Sequence, residues 1–434
     1  MEKEKFNQAK YMREWQKENM KQVKASYKTE FVDDFKEACR KLGIKQSDVF
    51  RNAMYSTIKK AEKIKMTREE IKQEIILDLE KAYEEKNEYI DAYLKEGDFS
   101  GDGSIKIFPV AKSTELLFLN KTDWDKFAEA TGADESDLET VEDLVETSEK
   151  YYNWTDEQTE EPDDGKALFG RDAMANYMFV GARQLGGNLF EVKDGKMTLN
   201  FDKEIVRKLW DNYYVPYVKG YFAASGRFRS DDIKTGNILA YVGSASSATF
   251  FPTQVMTSDT ESHDIELEVL APPEFEGGKK VAVQQGAGMV VTKCSDEEIK
   301  ASVEFLKYIT EPENNTSFSI GSGYLPVTKK ANDMIEIRKS GTDLSKSMDK
   351  VLTKAVETVN NNELYTTPAF EGGQDARSVL EYSMSDLADA DRKAVQERID
   401  AGQTMEEATE EFLTEEYFDR WYEDTLTKLQ TYEG

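Results

Sequence analysis

The net charge changes sign along the chain near Met66, and this division constrains the fold more than any other feature of the sequence. Residues 1–66 hold 17 Lys and Arg against 10 Asp and Glu, a net charge of +7, whereas the remaining 368 residues carry −35. Blocks of opposite charge indicate two modules with different electrostatic partners. We therefore expect a basic module over residues 1–66, which polyanions attract, and an acidic module over residues 67–434, which nucleic acid and anionic lipid repel.

The length and composition indicate folded modules without a membrane span. A chain of 434 residues is long enough for two or more domains with separate cores. Its apolar content of 39%, with 22 Phe and 21 Tyr, differs from that of a disordered chain. No stretch approaches the roughly 18 consecutive apolar residues that cross a bilayer. The charged first ten residues contain no signal-peptide pattern, so we expect a cytoplasmic location for the chain as written.

The cysteine and histidine content excludes much of enzyme chemistry. Cys39 and Cys294 have no second cysteine at metal or redox spacing, so two separate thiols fit this sequence better than a disulfide. His263 is the sole histidine, which excludes Ser-His-Asp triads and histidine-based metal sites by count. Acidic pairs are plentiful, but a chain with a net charge of −28 is expected to carry them on solvated faces. We predict a protein that is not an enzyme and has no cofactor.

The basic module has the pattern of a strand followed by two helices. Residues 22–27 alternate polar and apolar side chains, which predicts a short strand. Thr29 is expected to cap a helix that ends at Gly43, because glycine favours the position after a helix. Ser47 is expected to cap the second helix, which carries apolar residues at helical spacing up to Ile58.

This order over residues 23–61 resembles the ribbon-helix-helix repressors, in which two chains pair their strands. The resemblance implies homodimerisation through residues 20–62 and DNA binding. The outward strand residues Gln22, Lys24 and Ser26 would read base edges, and the helix start at Ser47 would hold a phosphate. The alternative is a small helical hairpin that dimerises without touching DNA.

The acidic module contains two specific stretches, IFPVAKSTELLFLNK at 107–121 and GSGYLPVTKKA at 321–331. They are similar to the hinge-crossing strand and to the most distinctive segment of the family 1 extracellular solute-binding proteins, which serve ABC importers of carbohydrate-type ligands. Residues 181–187, 236–247 and 286–292 resemble further segments of that family. The resemblance covers about residues 104–430 and implies an α/β, periplasmic-binding-protein-like module of two lobes behind the small β-α-α unit.

The resemblance also implies a ligand held between the lobes and a permease partner. The small residues of the turn at 243–247 let a ligand approach the backbone and offer hydroxyls, which suits a polyol, and aromatic rings suit the apolar face of a sugar. Ser113 and Glu115 alternate with Leu116 and Phe118, so we expect them on an exposed edge that faces the cleft. The candidate ligand-binding residues are Ser113, Glu115, Arg171, Asp172, Arg227, Ser244, Ser246, Ser247, Phe250, Gly286, Gly288 and Tyr324. Core packing for the aromatic residues and surface ion pairing for the charged residues are the alternatives.

One departure from the resembled family bears on the ligand. Glycerol-phosphate binders of that family clamp the phosphate with an arginine, but residues 368–373 of this chain read PAFEGG, and the nearest guanidinium belongs to Arg377. Phosphate needs a fork-shaped donor at the right place. We therefore predict a neutral carbohydrate ligand.

The resembled family places alternating strands and helices before the hinge strand, and residues 1–103 do not match that region. We predict an intact second lobe at about 113–264 and 330–434. The first lobe is predicted to be truncated, at about 67–109 and 267–328, with exposed edges prone to association. The join to the basic module is either a natural fusion or an artefact of the gene sequence. A DNA-binding regulator with a solute-sensing C-terminal module is the alternative function, although the resembled family itself is extracellular and membrane-associated.

Overall fold

The computed structural model of the protein describes residues 28–63, 85–98, 103–256, 260–340 and 343–434. The chain divides into two compact units, Met1–Lys81 and Ala82–Gly434. The predicted strand with Gln22, Lys24 and Ser26 lies outside the described residues, and so does the predicted boundary near Met66.

The described part of the first unit consists of helices α1 (Thr29–Leu42) and α2 (Gln46–Lys63). Gly43 follows α1 in the left-handed conformation, with φ of 68°, so the predicted helix end is confirmed. The predicted caps are wrong. Lys28 occupies the N-cap of α1 without a capping side-chain bond, so Thr29 is already helical. Helix α2 begins at Gln46, which places Ser47 inside the first turn, with its hydroxyl 3.5 Å from the Asp48 carboxylate.

The second unit mixes short strands with many helices. Its described helices are α3 (Asp91–Lys95), α4 (Lys121–Thr131), α5 (Val141–Asp156), α6 (Met174–Gln184), α7 (Lys203–Asp211), α8 (Tyr214–Val218), α9 (Arg229–Thr235), α10 (Asp296–Thr310), α11 (Pro312–Ser322), α12 (Met334–Lys339), α13 (Lys346–Asn361), α14 (Gly373–Tyr382), α15 (Ser385–Asp400), α16 (Met405–Thr409) and α17 (Glu415–Gln430). Its described strands are β1 (Phe108–Ser113), β2 (Glu115–Asn120), β3 (Phe169–Arg171), β4 (Phe190–Lys193), β5 (Lys196–Leu199), β6 (Ala240–Ser244), β7 (Gln254–Met256), β8 (Ser262–Asp264), β9 (Leu267–Leu270), β10 (Val281–Val283), β11 (Gln285–Met289) and β12 (Glu363–Tyr365).

The chain passes from one sheet to another at Thr114, between β1 and β2. Strand β1 pairs antiparallel with β11, whereas β2 lies inside a four-stranded sheet of order β3-β6-β2-β9. In that sheet β3 is parallel to β6, and β2 is antiparallel to both of its neighbours. This crossing agrees with the hinge-crossing strand that the stretch at 107–121 predicts.

Both faces of β2 are covered, because its side chains alternate between two cores. Leu117 and Leu119 pack in the larger core with residues of α4, α5 and α6, and Leu116 and Phe118 pack in the other core with residues of α13. All six residues of β2 are therefore buried. The predicted exposed edge is wrong, because β2 is an internal strand with helices on both sides. Ser113 and Glu115 are only 1% and 3% exposed.

Strand β1 pairs with β11 and packs against helices α3, α10 and α11, the group that the family resemblance assigns to the first lobe. Its small core joins Tyr93 and Leu94 of α3 to Val327. Strand β9 belongs to the four-stranded sheet, so residues 267–270, which were predicted in the first lobe, lie in the sheet of β2. The other lobe bounds stay a prediction. Within the described residues, none of the helices combines the length and the apolar character that a membrane crossing requires.

Candidate ligand-binding site

A cluster of serine hydroxyls lies where the two sheets meet. Ser113 ends β1 and Ser244 ends β6, and their Oγ atoms are 2.6 Å apart. The Ser246 hydroxyl lies 2.9 Å from that of Ser244, and the Ser113 hydroxyl donates to the Gln285 side chain at 3.5 Å. The pairing of β2 with β6 places Ser244 opposite Glu115, so the sheet itself fixes the cluster. Ser244 and Ser246 are partly exposed and can offer donors and acceptors to a polar ligand, whereas the Ser113 hydroxyl is buried behind them.

The second specific stretch of the sequence approaches this cluster from the first lobe. Gly323 has a φ of 73°, and a Cβ atom there would lie 2.7 Å from the Ala245 carbonyl oxygen and 3.1 Å from the Ser246 Cα atom. Only glycine fits such a close approach in this conformation. The adjacent Tyr324 ring stacks with Phe318 at a centroid distance of 6.1 Å. The backbone at Gly323 therefore packs against the serine turn, and Tyr324 is the next residue along the chain.

The aromatic candidates differ in exposure. Phe250 ends the short 3-10 helix that follows Ser244 and is 74% exposed. Phe318 is 52% exposed, and Tyr324 is partly buried. Ser247 lies behind the turn, with its Oγ atom 3.3 Å from the hydroxyl of Tyr241. Exposed rings next to hydroxyl groups can stack on the apolar face of a sugar.

Glu115 and Arg171 form a buried ion pair. An Arg171 Nη atom donates to the Glu115 carboxylate at 2.6 Å, and both side chains are less than one tenth exposed. The other carboxylate oxygen of Glu115 accepts from the Asn176 amide at 2.7 Å, and the Asn176 carbonyl accepts from Arg377 at 2.7 Å. The Arg171 guanidinium also lies over the Tyr177 ring, 5.4 Å from its centroid. Glu115 and Arg171 therefore neutralise each other, whereas Arg377 is bonded to a neutral amide.

Asp172 and Arg229 fix the start of α9 beside β6. The Asp172 carboxylate accepts the backbone N–H of Arg229 at 3.0 Å, and the Arg229 guanidinium is 2.7 Å from the Asp232 carboxylate. Burial raises the pKa of the Asp172 carboxyl, and the hydrogen bond from Arg229 opposes that shift. Arg227 lies on the preceding exposed loop, with its guanidinium 5.3 Å from the centroid of the Phe228 ring.

The two glycine candidates lie within β11. A Cβ atom at Gly286 would be 2.4 Å from the Ala111 carbonyl oxygen, and one at Gly288 would be 2.1 Å from a methyl carbon of Ile107. Both glycines therefore permit the close packing of β11 against β1 and against Ile107, the residue before β1.

Across the described ranges, no group of three or more His, Cys, Asp and Glu side chains is arranged to hold a metal ion.

The family model of the bacterial extracellular solute-binding proteins matches residues 58–342, well over half of the chain. The chain belongs to this family. A comparison with curated protein sequences finds no match.

Solved structures of solute-binding proteins share the fold of this chain. UgpB from Mycobacterium tuberculosis, in complex with glycerophosphocholine, has a TM-score of 0.55 and 19% identity, covering 80% of this chain and 76% of its own. The cyclic alpha-maltosyl-1,6-maltose binding protein from Arthrobacter globiformis has a TM-score of 0.54 and 16% identity, covering 79% and 76%. Maltose-bound MalE3 from T. maritima has a TM-score of 0.52 and 16% identity, covering 80% and 78%. The predicted two-lobed α/β fold is confirmed, and the ribbon-helix-helix resemblance of residues 20–62 stays a prediction.

In this solute-binding protein the predicted residues fall into separate groups. Ser244 contacts both Ser113 and Ser246, and Tyr324 follows Gly323, which packs against the serine turn. Glu115 and Arg171 bind each other, and Asp172 binds the start of α9. Asn176, Arg377 and Phe318 were missed by the sequence reasoning. Phe318 precedes a recognised segment by only a few residues, whereas nothing in the local sequence indicates that Asn176 meets Arg377.

Proposed function

We propose that this chain is the solute-binding component of an ABC importer and that it captures a neutral carbohydrate between its two lobes. The observation that carries the proposal is the serine cluster of Ser113, Ser244 and Ser246, against which Gly323 packs, the residue before the stacked ring of Tyr324. Hydroxyl groups can donate to and accept from the alternating hydroxyls of a sugar, and aromatic rings can cover its apolar face.

The charges around the cluster support a neutral ligand. Arg171 is engaged by Glu115, and Arg377 is engaged by Asn176 and lies over the Phe179 ring. A phosphate would have to compete with these buried partners for a guanidinium. The exposed Arg227 is the remaining candidate for an anion among the residues predicted here.

Ligand capture of this kind needs closure of the lobes and no bond chemistry. The chain passes at Thr114 from the sheet of β1 and β11 to the sheet of β2, and this crossing supports a hinge at this point. We therefore propose a binding protein and not an enzyme, with a membrane permease as its partner.

Calorimetric titration tests the proposal. The panel comprises maltose, cyclic maltosyl-maltose, lacto-N-biose and glycerophosphocholine. We expect heat with at least one neutral saccharide, and Ser244→Ala should weaken that binding about tenfold because a hydrogen-bonding partner of the ligand is lost. Ser148→Ala is the control, since the Ser148 hydroxyl donates to the Leu144 carbonyl inside α5. Heat with no compound of the panel would contradict the proposed function, and heat with glycerophosphocholine alone would contradict the neutral ligand.

A second candidate function concerns the first unit. Leu42, Phe50 and Tyr55 are more than half exposed there, and such apolar surface favours association. We propose that residues 20–62 form a homodimer that binds DNA.

Light scattering of the full chain should give the dimer mass, and Tyr55→Asp should reduce it to the monomer mass. Anisotropy with duplex DNA should show affinity that falls as salt rises. A monomeric wild-type chain would contradict the homodimer, and a chain without affinity for DNA would contradict DNA binding.

We also propose that the first lobe is reduced relative to other family members. Among the described strands β11 pairs with β1 alone, and Met289 and Val290 near its end are 43% and 61% exposed. A strand with one free edge loses amide protection. Hydrogen exchange should therefore be faster in β11 than in β2, and equal protection would contradict the reduced lobe.

A further inference from the structure

Asn176 joins three elements through its amide group. It lies in the first turn of α6 and is 2% exposed. Its Nδ2 atom donates to Glu115, the first residue of β2, and its Oδ1 atom accepts from Arg377 of α14. The two bonds are both 2.7 Å long and connect residues that are 61 and 201 positions away in the sequence.

We propose that Asn176 is a positioning residue for ligand capture, an inference that rests on the proposed function. Asn176 holds Glu115 to α14, and Glu115 lies opposite Ser244 in the pairing of β2 with β6. Ser244 in turn contacts Ser113 across the hinge crossing. The amide therefore holds the serine cluster in position through Glu115 and does not itself contact the ligand.

The chemistry of the position requires an amide. Glu115 needs a donor and Arg377 needs an acceptor, and the asparagine side chain presents one of each. An ionised aspartate can accept from Arg377 but cannot donate to Glu115. A carboxylate placed next to a buried carboxylate is strongly unfavourable, and the pair then takes up a proton more readily.

The charged groups around Asn176 come from β2, β3 and α14. They are Glu115, Arg171, Arg377 and Glu381, whose carboxylate accepts the first two backbone N–H groups of α6. The nearby phenols are neutral at physiological pH, because burial raises the pKa of Tyr213 to about 12 and that of Tyr177 well above its ordinary value. Asp172, which follows β3, adds a carboxylate that interacts with Glu115 and Arg171. An aspartate at position 176 would therefore join three carboxylates and two guanidinium groups.

The test compares Asn176→Asp with Asn120→Asp in the full chain. Asn120 ends β2, the strand that begins with Glu115, and is 1% exposed. Its amide donates to the Asp123 carboxylate at 2.7 Å. Both substitutions therefore replace a buried amide with a carboxylate next to a carboxylate. With the saccharide that binds best, Asn176→Asp should lower the affinity about tenfold or more at pH 7.5, whereas Asn120→Asp should leave it unchanged.

The pH profile separates positioning from general destabilisation. The affinity of Asn176→Asp should recover as the pH falls towards about 5, because the shared proton restores a donor between the two carboxylates. The wild-type affinity should stay level over this range. A uniform loss without recovery, or an equal loss in Asn120→Asp, would overturn the proposal.

Hydrogen exchange of the ligand-free protein tests the positioning role independently of ligand binding. In Asn176→Asp at pH 7.5 the amides of residues 115–117 and 242–244 should exchange faster than in the wild type, and this excess should decrease at lower pH. Unchanged exchange there would overturn the positioning role even if no saccharide is found. Absence of heat with the wild-type chain would instead refute the proposed function.

Discussion

The carboxylate of Glu381 caps helix α6, since one of its oxygens accepts the backbone N–H of Ala175 at 2.9 Å and the other accepts that of Met174 at 3.1 Å. The N-cap residue of α6, Ala173, has no side chain able to do this. A carboxylate at a helix N-terminus also interacts favourably with the helix dipole. Helix α14 therefore supplies the cap that the local sequence of α6 lacks.

Loss of this cap should destabilise the protein without altering the strands of the cleft. We expect Glu381→Ala to lower the free energy of unfolding by about 1–2 kcal/mol, the usual cost of a lost N-cap. Urea denaturation followed by circular dichroism measures the change. The control is Glu371→Ala, because Glu371 is exposed just before α14. An equal effect of both substitutions would contradict the capping role.

Asp391 makes stability depend on pH. Its carboxylate accepts the hydroxyls of Tyr214 and Tyr417, and burial raises the pKa of the carboxyl above its ordinary value of 3.8, although these hydrogen bonds oppose the shift. A raised pKa means that the folded state holds the proton more tightly than the unfolded state. The stabilisation is fully present below pH 3.8 and is lost as the pH rises through the folded pKa.

Asp391→Asn should remove this contribution. The difference in melting temperature between the wild type and the variant should shift in favour of the variant as the pH rises from about 4 to 7. Calorimetric melting at several pH values measures it. The comparison with Asp389→Asn, which removes an exposed carboxylate of the same helix, controls for net charge. A difference that is constant with pH would contradict the raised pKa.

The sequence predicts that the two helices of the first unit exist, but it misplaces the helix starts at Thr29 and Ser47, and it fails where distant residues meet. Gly43 ends α1 as predicted because a left-handed residue after a helix favours glycine. The hinge crossing at Thr114 was predicted from its resemblance to the family. The exposure of Glu115 was predicted wrongly, because alternation along a strand does not reveal whether helices cover both faces. The contacts of Asn176 could not be predicted, since Arg377 is 201 residues away.

Gly323 should be essential for the approach of the two lobes at the serine turn. Alanine at this position must adopt a φ of 73° and place its Cβ atom 2.7 Å from the Ala245 carbonyl oxygen. We expect Gly323→Ala to destabilise the protein by about 2–4 kcal/mol, from backbone strain together with the clash. Gly277→Ala is a matched control, because Gly277 has a φ of 67° with no atom within 4 Å of such a Cβ. The control should cost only about 1–2 kcal/mol. Equal losses in chemical denaturation would contradict the close approach.

Phe318 should contribute to ligand binding through its stacked ring. It lies beside Tyr324 at a centroid distance of 6.1 Å and is 52% exposed, so a sugar ring can extend over both aromatic faces. We expect Phe318→Ala to weaken saccharide binding about three- to tenfold in calorimetric titration, the usual range for one aromatic contact. Phe305→Ala is the control, because Phe305 is 57% exposed and lines a groove with Met289 and Val290 that Phe318 and Tyr324 do not line. Since both substitutions remove an equally exposed ring, only the one beside Tyr324 should change the affinity. Equal affinities of the two variants would show that the stacked pair lies outside the ligand site.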